Sequence, residues 1–147
     1  MSSPIVVFDG ECALCNGFVA WLLRHDRRGV FLISGSNGEV GRAVVSAAGL
    51  THQITASTIV VWDGSRALLR SDAVLAIVRQ LGWPWRAAGV ARVLPRAWRD
   101  RVYRAIAQRR ARLEAQDPSC GVPPAHLVGL WRSRLATASD LPGGVAP

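Results

Sequence analysis

The chain has no lysine: all 18 of its basic residues are arginine, set against 10 acids for a net charge of +8 over 147 residues. Long apolar runs are missing too, and no uncharged stretch approaches the ~18–20 residues that a membrane-spanning helix needs. The opening MSSPIVVFDGEC lacks the basic region of a secretory signal, and its apolar run stops at Phe8. A cytoplasmic chain without a membrane span is the expectation. Cysteine is scarce, with three residues, an odd number that leaves one over from any disulfide framework. In a reducing compartment a close thiol pair is expected to be catalytic, redox-sensing or metal-binding rather than a structural staple. Disorder is excluded by what remains, since half of the residues are hydrophobic and only 19% are charged.

The alternation of short elements predicts one α/β domain. Pro4-Ile-Val-Val-Phe8 is a β-branched run ending at Asp9-Gly10, the pattern of a buried strand. Leu14, Phe18, Val19, Leu22 and Leu23 recur at three- and four-residue steps and predict a helix over 13–25. A turn at Asp26-Arg27-Arg28-Gly29 leads to a second strand over 30–33, so the opening unit is a parallel strand–helix–strand crossover. A weaker helix is expected over 39–48 and a polar connection over 49–57. Strands at 58–62 and 67–70 flank Asp63-Gly64, the mark of a hairpin. Ser71 and Asp72 suit the start of a helix over 73–81, which Gly82 closes. The order β-α-β-α-β-β-α is a mixed sheet with helices packed on it.

Beyond residue 82 the composition turns arginine-rich and helical. Leu94, Trp98, Val102, Ile106 and Leu113 share one stripe, with most arginines elsewhere, as on a helix that buries one side. Trp83, Trp85 and Trp98 are expected to pin this extension, residues 83–135, to the sheet; an exposed aromatic patch is the alternative. Residues 136–147 read as a loose tail.

Cys12 and Cys15 form a C-x-x-C pair at the start of the first helix. Thiol exchange needs a stabilised thiolate and a second thiol within reach. Free amides and the dipole at a helix N-terminus supply the first, and i, i+3 spacing on the first turn supplies the second. Cys12 is then the attacking nucleophile and Cys15 the resolving thiol. The acids Asp9 and Glu11 oppose ionisation of Cys12, which favours a reducing poise. Asp9 has two readings: a carboxylate that handles the proton of the resolving thiol, or an acceptor for backbone amides where strand meets helix. The cysteines have rival readings as well. They would be inert core residues, or half of a zinc site completed by Cys120 and one of His25, His52 or His126, although Cys120 to His126 is a wide step for ligands. The arginines also admit a nucleic-acid-binding protein, whose affinity would fall steeply with salt. Solvated helix faces account for them more simply.

The segment FDGECALCNGFVAWLLRHD, with Asp9, Cys12 and Cys15, resembles the D-x-x-C-x-x-C signature of the DCC family of thiol–disulfide oxidoreductases. The resemblance continues through TIVVWDGSRALLRSDAVLAIVRQLG and LPRAWRDRVYRAIAQRR, and resumes at SCGVPP. It implies a thioredoxin-like fold with a C-terminal helical extension. It brings no defined substrate; the oxidoreductase reading itself calls for a disulfide-containing protein or small-molecule substrate and an external thiol or reductase as electron donor, with no bound cofactor or metal. Two departures stand out. Thioredoxins carry a cis-proline before the third strand, where this chain has Ala56-Ser57-Thr58, and a non-proline cis bond would cost ~3 kcal/mol. Thr58 is therefore the candidate substrate-lining residue at that edge. The aromatic–glycine pair frequent before the last cysteine of the family is replaced by Leu113-Glu-Ala-Gln-Asp117.

Overall fold

The structure is a computed structural model that describes residues 3–10, 13–55, 58–114 and 125–141. Its centre is a four-stranded sheet built from β1 (Ile5–Phe8), β2 (Leu32–Gly35), β3 (Val60–Trp62) and β4 (Ala67–Leu69), in the order β2-β1-β3-β4. β1 runs parallel to β2 and antiparallel to β3, which in turn is antiparallel to β4. The parallel pair is joined through α1 (Ala13–His25). Helices α2 (Glu39–Ala47) and α4 (Arg70–Gln80) follow β2 and β4, with the single turn α3 (His52–Thr55) between them. This is the thioredoxin-like α/β arrangement.

Strand alternation sorts the core into two layers. Val6, Phe8, Ile33, Ile59 and Val61 face a cluster with Val19, Leu22 and Leu23 of α1 and Ala73 and Ile77 of α4. Ile5, Val7, Val60 and Trp62 face the opposite way, onto Val40, Val44 and Val45 of α2. The sheet is thus covered on both sides, and its central strand ends at the α1 N-terminus.

Two strands are shorter or later than their composition predicts. β2 begins at Leu32 rather than Val30 because the Val30 and Phe31 amides donate to the Asp26 carboxylate, at 3.1 and 3.0 Å. Pairing with β1 starts only at the Leu32 amide, bonded to the Pro4 carbonyl. β3 begins at Val60, with Thr58 and Ile59 buried ahead of it. The hairpin after it forms as expected, with Asp63 accepting from the Ser65 and Arg66 amides and Gly64 at φ +98°. Partial burial works against ionisation of Asp63, but these amides, the Ser65 hydroxyl and Arg66 outweigh it and hold its pKa at about 2. α4 starts three residues early, at Arg70, and Ser71 and Asp72 reach sideways to another helix instead of capping their own.

α2 approaches β2 so closely that Gly41 has no room for a side chain. A Cβ there would press on the Gly35 carbonyl and lie 2.9 Å from the Ser36 Cα. Gly41→Ala is expected to cost about 3 kcal/mol, because backbone cannot yield as a flexible side chain can. Gly17, on the exposed side of α1 with nothing within 4 Å, behaves oppositely: Gly17→Ala should add about 1 kcal/mol through helix propensity. Urea midpoints shifting in the same direction for both variants would contradict this packing.

The helical extension comprises α5 (Trp85–Ala88), a 3-10 turn (Gly89–Val93), α6 (Arg96–Glu114) and α7 (Val128–Ser133). It corrects the expectation about its tryptophans. Trp85 does pack, but on α1, edge-on to Trp21 and His25 at ring-centroid distances of 5.0 Å. Trp83 and Trp98 are 83% and 66% exposed, and the stripe of Leu94, Val102 and Ile106 faces outward with Trp98. What docks α6 is its polar side. Arg99 and Arg96 reach the two oxygens of Asp72 at 2.9 and 3.1 Å, and the Ser71 hydroxyl donates to Asp100. Apolar periodicity located the helix but not the side it buries.

Asp100 gives that docking a pH dependence. The Ser71 hydrogen bond, helped by the Arg96 charge and opposed by partial burial, holds its carboxyl below the usual value. A pKa lower in the folded than in the unfolded chain means stability that is complete above about pH 4 and lost as pH falls through the depressed value. Asp100→Asn should therefore lower the melting temperature at neutral pH, and the gap should close in acid. A gap that stays constant down to about pH 2 would contradict the assignment.

Residues 136–141 are not a loose tail. The Ala136 amide donates to the Ile33 carbonyl at 2.9 Å, Thr137 and Asp140 form a reciprocal capping box, and Leu141 is buried in the α2-side core. Arg134 secures the approach to this segment, with its guanidinium 3.3 Å from the buried carboxylate of Asp26. Residues 142–147 lie outside the described residues.

Candidate active site

β1 delivers the chain to the N-terminus of α1 through Asp9 and Gly10. Asp9 is half-buried directly after the strand. Cys12 and Glu11 lie outside the described residues, as does Cys120. Cys15 is in the first turn of α1, 4% exposed, and belongs to the same apolar cluster as Phe8 and Val19. Its shelter follows from the chain path: the helix side that carries Cys15, Val19 and Leu22 is the side laid against the sheet.

Asn16, which sequence reasoning did not single out, ties this region together. Its side-chain amide, 6% exposed, donates to the Gly10 carbonyl at 2.8 Å and so braces the turn from inside α1. The signal was available, because a short amide in the first helical turn can reach back to the loop before it. Thr58 is also buried, and its hydroxyl lies 3.2 Å from the Tyr103 hydroxyl of α6. Tyr103 is the second residue the sequence reading missed. The chain's one tyrosine, it sits four residues after Arg99, on the docking side of α6 rather than on the Trp98 stripe. Thr58 is thus covered by the extension.

Two of the histidines considered as zinc ligands, His25 and His126, sit at the C-terminal end of α1. His25 lies between Trp21 and Trp85, its Nδ1 2.7 Å from the Trp21 carbonyl. His126 Nε2 is 3.1 Å from the Arg24 guanidinium. Among the described residues no three His, Cys, Asp or Glu side chains are grouped to hold a metal ion. Also among them, no helix is long and apolar enough to cross a membrane.

Residues 6–116 match the family described as DCC1-like thiol-disulfide oxidoreductase. An uncharacterized protein, YuxK, of Bacillus subtilis is 29% identical over 119 residues, covering 81% of this chain and 86% of the relative. A protein of Arabidopsis thaliana named as a chloroplastic DCC family protein is 30% identical over 118 residues, covering 80% and 68%. No solved structure matches the chain.

Proposed function

Because the chain belongs to the DCC1-like thiol–disulfide oxidoreductase family, we propose that it exchanges thiols and disulfides through Cys12 and Cys15. The observation that carries this reading is the position of Cys15, buried in the first turn of α1, where β1 of a thioredoxin-like sheet hands over to the helix. A thiol there is sheltered from solvent yet within i, i+3 reach of the residue that precedes the helix.

In the proposed cycle the Cys12 thiolate attacks one sulfur of a substrate disulfide and expels the other as a thiolate. The Cys15 thiolate then attacks the Cys12 sulfur and releases the second substrate thiolate. The substrate gains two electrons and the pair is left as a disulfide. An external thiol or reductase, such as a reducing cytoplasm contains, returns it to the dithiol. The cycle calls for no bound cofactor. Helix-terminal amides stabilise the attacking thiolate, whereas Asp9 and Glu11 moderate that effect and favour a reducing poise. Asp9 serves as an acceptor for backbone amides or for the proton of the resolving thiol. Substrates are disulfides on proteins or small molecules that approach the α1 end of the sheet; Thr58, covered by Tyr103, is not exposed to line their path.

Reduction of a small aromatic disulfide by excess dithiothreitol tests this directly. Catalytic amounts of the protein are expected to accelerate the reaction over dithiothreitol alone. Folded protein that gives no acceleration with either a small-molecule or a protein disulfide would overturn the reading.

A further inference from the structure

We propose that the segment from Trp83 to Ile106 is a membrane-surface element, which seats the protein on bilayers with anionic headgroups. Two independent asymmetries coincide there. In the sequence, residues 83–114 hold nine arginines against Asp100 and Glu114, a net +7 of the chain's +8, so the remainder is almost neutral. In the structure, every exposed large apolar side chain among the described residues lies between Trp83 and Ile106, apart from Leu135. Val90 and Val93 of the 3-10 turn are 70% and 86% exposed, and Trp98, Val102 and Ile106, at four-residue steps, form an exposed apolar row along α6.

These side chains stand on a convex helix and turn, and α6 docks to the domain by its opposite, polar side. The apolar row is therefore spare. Arginines border it: Arg101 and Arg104 line an open hollow beside Trp98. Apolar and indole groups that enter the headgroup–acyl boundary, with guanidinium groups held at the phosphates, are the chemistry of an interfacial amphipathic helix. A second copy of the chain fits less well, since closing this face on itself would bring two strongly positive surfaces together. An acidic protein would satisfy the charge but would need a matching concave apolar groove for the Trp98, Val102 and Ile106 row.

The test is flotation of the full chain with phosphatidylcholine vesicles, with and without phosphatidylglycerol, while tryptophan emission is followed. Binding is expected only with phosphatidylglycerol, with a blue shift of emission and release at high salt. Trp98→Ser combined with Val102→Ser, and separately Arg101→Gln combined with Arg104→Gln, should each weaken binding about tenfold. All four residues are exposed, so an unchanged melting temperature is expected and verifies the fold. No binding to anionic vesicles overturns the proposal. So does binding that the Trp98→Ser, Val102→Ser variant leaves intact, which would be charge attraction alone. Lipid-independent dimerisation abolished by that same variant would assign the face to a second copy, and binding to acidic polypeptide but not vesicles would assign it to an acidic protein.

Discussion

Cys12→Ser is expected to bring disulfide exchange down to the rate of the reaction without protein, while Cys15→Ser leaves the chain trapped on its substrate. The two variants differ because the proposed cycle gives the thiols different roles. Cys12 immediately precedes α1 in the sequence, and in the proposed cycle helix-terminal amides favour its thiolate. Without that nucleophile no mixed disulfide forms. Cys15, buried in the first turn, is needed in that cycle only to release the substrate. With serine there, attack still occurs and the mixed disulfide persists until external thiol cleaves it. Intact-mass measurement after incubation with a small disulfide should find the adduct on Cys15→Ser and none at position 12 of Cys12→Ser. An adduct on Cys12→Ser but none on Cys15→Ser would make Cys15 the attacking thiol, and adducts on both in equal yield would mean that either thiol attacks or that Cys120 takes part.

Arg134→Ala should be the most damaging substitution outside the cores, at about 3 kcal/mol, from the loss of one partner of a buried pair. Asp26 is 2% exposed, and its carboxylate accepts from the Val30 and Phe31 amides as well as from Arg134. Removing the arginine leaves a buried negative charge with only the two amides. It also loosens the segment from Leu135 to Leu141, which adds a bridge beside β2 and plugs the second core. Urea denaturation measures the loss. Asp26→Asn in the Arg134→Ala background should recover part of it by removing the charge while keeping an acceptor for one of the two amides. A loss under about 1 kcal/mol for Arg134→Ala would show the pair to be no more than a surface bridge.

How legible these features were depended on how local their causes are. β1, α1 and the Asp63-Gly64 hairpin could be read from composition because strand alternation, helical spacing and turn chemistry each act within a few residues. β2 was displaced by two residues because Asp26 captures the Val30 and Phe31 amides, a competition that hydrophobicity does not encode. The side of α6 that docks was misjudged for a related reason. Its partners Ser71 and Asp72 look like capping residues of their own helix, and the Trp98 stripe looks like core. The segment through Leu141 is held by Arg134 and a capping box, neither of which follows from its small, polar composition. At the candidate site, the C-x-x-C pair is a pattern of spacing in the sequence alone, since Cys12 lies outside the described residues. Asn16 and Tyr103 have no such pattern, since what matters in them is a partner: the Gly10 carbonyl for one and Thr58 for the other.

The most direct measurement of the central claim is a redox titration of Cys12 and Cys15 in glutathione buffers, read by alkylation and peptide mass mapping. The predicted result is a reversible two-electron transition confined to that pair, with a midpoint on the reducing side, nearer the ~ −270 mV of thioredoxin than the ~ −120 mV of the strongly oxidising DsbA. A pair that forms no disulfide across the accessible range, or forms one only after a chelator has stripped a bound metal, would contradict the oxidoreductase account.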